Sequence, residues 1–205
     1  GLHGVGVSVT NALSTRLEVT VYREGEAAHL VFAGGDVVQP LQRRPLQSGE
    51  RKQGTTVRAW PDARYFDSPH LPLGELVHLL RSTAVLMPGV SVTLANEKTR
   101  DTQTWQYKGG LKDYLEQSLA TDPLLPLLEG AGFADAQDDS FAQGEGAAWC
   151  LAFTEQGAVL RESYVNLIPT VAGGTHESGL RDGLFQAVKN FIELHSLLPK
   201  GVKLM

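Results

Sequence analysis

From Leu17 onward the chain alternates, with Leu17, Val19 and Val21 on one face and Glu18, Thr20 and Tyr22 on the other, the period-two signature of a half-buried strand. The run Arg23-Glu24-Gly25-Glu26 reverses direction, a second strand follows over Ala28 to Phe32, Gly34-Gly35 turns again, and a third passes through Val37 and Val38. Residues 17–41 are therefore expected to form an antiparallel meander, the tightest local constraint in the chain. Residues 42–54 carry Pro, Gly and the cations Arg43, Arg44, Arg51 and Lys52 without an apolar period, and read as an exposed loop. Those cations could meet nucleic-acid phosphates. A solvated loop is the stronger reading, because no aromatic side chains interleave them.

Thr55 to Trp60 is strand-like and stops at Pro61-Asp62. Leu73, Leu76, Val77, Leu80 and Val85 recur at helical spacing and predict a helix of about four turns that ends at Pro88-Gly89. Val90, Val92 and Leu94 alternate as a strand whose hairpin partner is Thr102 to Tyr107. Gly109-Gly110 marks a domain boundary, with a helix carrying Leu111, Tyr114, Leu115 and Leu119 directly after it. Residues 121–146, rich in Pro, Gly, Ala and Asp, read as an irregular excursion. Ala147 to Phe153 and Val159 to Asn166 read as two strands joined at Glu155-Gln156-Gly157, with Pro169 ending the second. After Gly173-Gly174-Thr175-His176-Glu177, read as a tight turn leading into a helix in preference to a ligand contact, Leu180, Leu184, Val188, Phe191, Ile192 and His195 mark one helix face. The fold class is α+β.

Composition limits what such a chain does. Of 205 residues, 42% are apolar and 20% charged, which excludes disorder and fibrous repeats, and no apolar run approaches the length of a spanning helix. A formal net charge of -5 argues against bulk electrostatic gripping of nucleic acid, though not against a local basic patch. The single cysteine, Cys150, allows no internal disulfide, and a reducing cytoplasmic compartment is the expectation. Gly1 stands where a start Met would, with no basic and apolar leader, so the chain reads as cut from a longer one.

The opening run Gly1-Leu2-His3-Gly4-Val5-Gly6 precedes a short helix expected over Val7 to Ser14. Glycines in that place let backbone amides approach a phosphate, and they equally serve a plain tight turn. Neither a P-loop lysine nor a GxGxxG order is present. His29, His70, His78, His176 and His195 show no metal-ligand spacing, and Asp135, Asp138 and Asp139 lack the closing Glu of a calcium loop, so no metal ligand is assigned. Cys150 lies in an apolar strand that disfavours its thiolate, and there is no G-x-S-x-G elbow for a nucleophile.

The run GLHGVGVSVTNALS resembles the glycine box of the GHKL ATPases as it stands in the B subunits of bacterial type IIA topoisomerases, and LEVTVYREG, GTTVRAWPD and SYVNLIPTVAGGTHESGLRDGL follow in the order of that family. YFDSPHLPLGELVHLLRSTAVLMPGVSVTL and LPKGVKL resemble its topoisomerase IV branch more than its gyrase branch. The resemblance implies the C-terminal portion of a GHKL (Bergerat) ATPase sandwich over 1–108 and a ribosomal-S5-like transducer, itself truncated, over 109–205. It implies ATP and Mg2+ as cofactors, with Gly1, Leu2, His3, Gly4, Val5, Gly6 and Val7 around the triphosphate and Thr55 on the adenine side. Val57 would line the pocket, and Arg23 would stand at its mouth, where ATP-site inhibitors such as aminocoumarins are held. His3 is then a phosphate-box residue rather than a turn histidine.

The implied partners are the topoisomerase A subunit in a heterotetramer, a second copy through the ATPase region, and duplex DNA; no membrane is implied. In the family the general-base Glu, the magnesium-holding Asn and the adenine-reading Asp precede the glycine box, and the γ-phosphate Lys would follow Met205. No catalytic residue is therefore assigned, and the chain alone is expected to be inactive. The competing reading is a non-catalytic binding and relay module.

Overall fold

The computed structural model describes residues 5–68, 70–157, 159–199 and 201–202. The chain divides into two compact units, one ending at Leu73 and the other beginning at Gly74.

The first unit holds helix α1 (Gly6–Ala12) and strands β1 (Ser14–Arg23), β2 (Glu26–Ala33), β3 (Asp36–Pro45) and β4 (Gly54–Pro61) in one antiparallel sheet of order β3-β2-β1-β4. Its hairpin turns run through Glu24-Gly25 and Gly34-Gly35, all four with positive φ. That geometry matches the twist of the strands on either side. Period two divides the sheet into unlike faces. One carries Leu17, Val19 and Val21 of β1, opposite Phe32, Leu30 and Ala28 of β2 and Ala59, Val57 and Thr55 of β4. The other carries Glu18, Thr20 and Tyr22, opposite Val31, His29 and Ala27, and Arg58, Thr56 and Gly54. Leu17, Ala27 and Val31 are the buried apolar residues here.

The expected 42–54 loop is corrected at its start. β3 runs on to Pro45, with Arg43, Arg44 and Pro45 opposite Ala28, Ala27 and Glu26. As an edge strand it is exposed along nearly all its length, so polar side chains satisfy it and no apolar period betrays it. Between His29↔Gln42 and Val31↔Gln39 the β3 side carries one extra residue, a bulge that accommodates Pro40.

The second unit contains α2 (Leu73–Leu86, its first residue at the junction), β5 (Val92–Asn96), β6 (Asp101–Trp105), α3 (Leu111–Ser118), β7 (Leu128–Phe133), β8 (Gly146–Leu151), β9 (Tyr164–Val165), β10 (Ile168–Pro169) and α4 (Thr175–Leu194). Its strands pair as three antiparallel ladders, β5 with β6, β7 with β8 and β9 with β10. The core gathers Ala84 and Val85 of α2 around Tyr107, with Val92, Trp105, Leu111 and Tyr114 packed against them. Tyr107 meets Tyr114 edge to face at 5.8 Å. Tyr107 thus draws α2 and α3 into one core. Gly110 is required twice over: its φ is +57°, and a Cβ there would stand 3.0 Å from Pro88 and 3.4 Å from the Val85 carbonyl oxygen.

Two expectations for the later chain are corrected. The excursion over 121–146 contains β7, and β8 pairs back with it rather than forward with residues 159–166. β7 hides in sequence because Gly130 and Gly132 hold the positions that would show its period. Trp149 covers Gly130 so closely that a Cβ there would fall 2.6 Å from the indole. Val159 and Leu160 are exposed and outside any strand; only Tyr164–Val165 is extended, turning through Asn166 and Leu167, both with positive φ, to pair with Ile168–Pro169. Pro169 is the last residue of β10 and pairs with Tyr164, so it ends this short ladder rather than a strand over 159–166.

Candidate functional site

Thr55 faces Val21 and Val57 faces Val19 across the β1–β4 ladder, so β4 contributes its odd-numbered positions to the apolar side of the sheet. Val57 is 54% exposed, and the surface it shares with Val21 and Thr55 is open. Arg23 follows Val21 on that side at the end of β1, opposite Glu26. Its side chain is 80% exposed and its guanidinium pairs at 2.8 Å only with neighbouring Glu24 among the described residues, a contact worth little in water.

Helix α1 is fastened to the sheet at its C-terminal end. The Asn11 amide donates to the Gly35 carbonyl at 3.3 Å, the Ser14 hydroxyl to the Thr10 carbonyl at 2.7 Å, and the Asp62 amide to the Leu13 carbonyl at 2.9 Å. Val5, Gly6 and Val7 stand exposed at its start. Gly6 has no positive φ, and among the described residues no atom lies within 4 Å of a Cβ built there. The described fold makes no demand for glycine at that position. What glycine leaves is bare backbone that a ligand can approach. Gly1, Leu2, His3 and Gly4 lie outside the described residues.

The opposite face carries a polar basin of about 410 Å³ that the sequence did not disclose, floored by Glu18, Thr20, His29, Thr56 and Arg58. Thr20 Oγ1 and His29 Nδ1 lie 2.9 Å apart, and the Arg51 guanidinium rests 5.9 Å from the Tyr22 ring centroid. Arg44 grips Glu50 with two bonds of 2.8 and 2.6 Å and holds its carboxyl down to about 2, helped by the Gln47 amide. Arg43 approaches Glu26 at 3.9 Å. Three of the four loop cations therefore have partners within the protein.

In the second unit Gly173-Gly174 turns the chain, with Gly173 at φ +76°, and Thr175 opens α4, the turn that the sequence favoured. Glu177 in its first turn pairs with Arg161 and accepts the Ser163 hydroxyl at 2.7 Å, and these two donors hold its carboxyl below the usual range. His176 Nε2 lies 3.3 Å from Thr170 Oγ1. Residues of the GGTHE run thus engage the preceding hairpin. His195 closes α4 with its ring 4.3 Å from that of Phe191. Burial pushes the Cys150 thiol up, as an unreactive cysteine requires. Among the described residues no cluster of three metal-ligating side chains occurs, and no helix is long and apolar enough to cross a membrane.

The fold also occurs in solved ATPase domains. The structure is similar to the topoisomerase IV ATP-binding domain of Francisella tularensis in complex with a small-molecule inhibitor, with a TM-score of 0.68, 32% identity, and coverage of 98% of this chain and 53% of that one. It is also similar to the 43K ATPase domain of Thermus thermophilus gyrase B in complex with an aminocoumarin, with a TM-score of 0.73, 25% identity, and coverage of 99% and 54%. The DNA gyrase B family model matches residues 110–205. The chain belongs to the family of type IIA topoisomerase B subunits. Within that family, the B subunits of DNA topoisomerase 4 from Salmonella typhimurium and from Escherichia coli K12 are each 45% identical over all 205 residues, against 33% over 193 residues for the B subunit of DNA gyrase from Helicobacter pylori. The chain spans about a third of the length of the curated topoisomerase relatives it matches, 31% of each.

Proposed function

We propose that this chain is an ATP-binding part of the ATPase subunit of a topoisomerase IV, coupling ATP binding and hydrolysis to passage of one DNA duplex through another, decatenating and relaxing DNA. The observation that carries this reading is the unbroken 45% identity to topoisomerase 4 B subunits over the whole chain, joined to a fold that overlays an ATP-binding domain. Residues 1–108 supply the C-terminal portion of the ATPase domain and residues 109–205 the transducer. Gly1 to Val7 wrap the triphosphate, Thr55 bonds the adenine side directly or through water, Val57 lines the pocket, and Arg23 meets inhibitors at its mouth. ATP with Mg2+ supplies the free energy that distinguishes closed from open states, since a ligand with equal affinity for both would shift nothing. The partners are the A subunit, a second copy of the ATPase subunit and duplex DNA.

The test is ATP-dependent decatenation of linked DNA circles by the full-length protein with its A subunit, run in parallel with the same assay on residues 1–205. The full-length pair should decatenate and hydrolyse ATP, and residues 1–205 alone should do neither. Full-length protein that neither binds nor hydrolyses ATP would overturn the reading. ATP-driven negative supercoiling in place of decatenation would move the protein to the gyrase branch.

A further inference from the structure

We propose that residues 161–164 form a two-sided bolt coupling α2 to α4, with Glu162 as the positioning residue at its centre. Four consecutive side chains are dealt alternately to two neighbours. Glu162 and Tyr164 turn toward α2 and α3: Glu162 accepts the Tyr114 hydroxyl at 2.8 Å on one carboxylate oxygen and the Tyr164 hydroxyl at 2.6 Å on the other. Arg161 and Ser163 turn toward α4, where both end on Glu177. Among the described residues no hydrogen bond joins α2 to α4 directly. The hydrogen-bonded route between them runs through this segment.

The α2 end of the bolt has two settings. Ser82, buried in α2, has one hydroxyl proton and two acceptors, the His78 carbonyl of its own helix at 2.7 Å and the Tyr164 hydroxyl oxygen at 3.0 Å. Tyr164 spends its proton on Glu162, so it can only accept from Ser82. The α2-to-bolt bond exists when Ser82 turns outward and is absent when it bonds back to its helix. Glu162 fixes that polarity. Its second oxygen reaches Tyr114, whose ring lies beneath the Arg81 guanidinium at 4.9 Å, while Arg81 Nε donates to the Tyr107 hydroxyl at 2.8 Å. A discrete element with two arrangements, touched from both sides, is what energetic coupling through a protein needs.

This inference rests on the proposed function, in which α2 belongs to the ATPase portion and α4 to the transducer. The experiment uses the full-length protein together with its A subunit and reads the number of decatenation events per ATP hydrolysed, alongside melting temperature and ATP-analogue affinity. Glu162→Gln and Tyr164→Phe should hold analogue affinity and DNA-independent hydrolysis within about twofold while lowering events per ATP on the order of tenfold, a usual size for coupling between sites. Ser82→Ala, which silences the two-way hydroxyl, should lower the same ratio. Should Glu162→Gln fail to fold, Tyr114→Phe removes one bond to the same carboxylate and should show the same split in smaller measure. An unchanged ratio in folded variants, or hydrolysis and decatenation falling together, would overturn the bolt while leaving the ATPase reading intact. Wild-type protein without ATP-dependent decatenation would instead remove that reading.

Discussion

Thr55 stands opposite Val21, so its hydroxyl is a polar group on a largely apolar surface, and an adenine lying there has one evident side-chain partner on β4. Thr55→Val is nearly isosteric and should remove about 1 kcal/mol of ATP-analogue binding from the full-length protein, the net value of one hydrogen bond. Calorimetric titration showing no loss would turn the hydroxyl away from the ligand. Gly6 makes the opposite kind of argument, because the described fold has no need of it. Gly6→Ala should keep or raise the melting temperature, since alanine exceeds glycine in a helix by up to about 1 kcal/mol, yet weaken the analogue by closing its approach. A matching drop in both would make Gly6 a folding residue. To reach a ligand Arg23 would give up, among the described residues, only an exposed pair with Glu24. Arg23→Ala should weaken an inhibitor with a carboxylate or planar carbonyl at the pocket mouth by roughly 1.5 to 3 kcal/mol, or about one to two orders of magnitude. ATP should feel the change far less; equal losses for both would place Arg23 in the nucleotide site itself.

Among the elements, the segment after β3 shows how one ion pair orders a stretch without apolar anchors. The Glu50 carboxyl is held down to about 2 from an ordinary 4.5, so what the Arg44 pair contributes is complete above 4.5 and fades as pH falls from there through about 2. Amide protection at Gln47, whose N–H bonds Glu50 at 2.7 Å, should decline over that window after correction for intrinsic exchange. Arg44→Gln should bring the same loss at neutral pH; protection that stays flat in both experiments would mean the pair does not hold the segment. The same contrast explains what was legible in the sequence. β1, β2, α2 and α3 were legible because apolar side chains recur at their periods, and Thr55 and Val57 could be set on one face by counting alone. The tail of β3 was not, being an edge satisfied by arginine and glutamine, nor was β7, whose period falls on glycines. The bolt at 161–164 was invisible for a different reason: it joins Ser82 to Tyr164 through polar groups whose partners only the fold selects.

The whole molecule is two compact units with separate small cores, and the consequence is separable stability. Leu17 is 1% exposed, and Leu17→Ala should cost the first unit about 2 to 5 kcal/mol. Native-state hydrogen exchange should then show protection falling in β1, β2 and β4 and persisting in α2 and α4. A uniform fall would make the units one cooperative body. Each unit must also win against near-copies of itself, and the sheet has one close rival. Sliding β4 by a single residue exchanges its two faces and brings Thr56 opposite Val21 in place of Thr55. A threonine would still stand at the same spot. The doubled threonine therefore forgives the misprint, whereas the slip sets Arg58 against Val19 in place of Val57, trading an apolar side chain of that open face for a charged one. Proof-reading of the pocket falls to a residue on the far side of the sheet, two positions from Thr56.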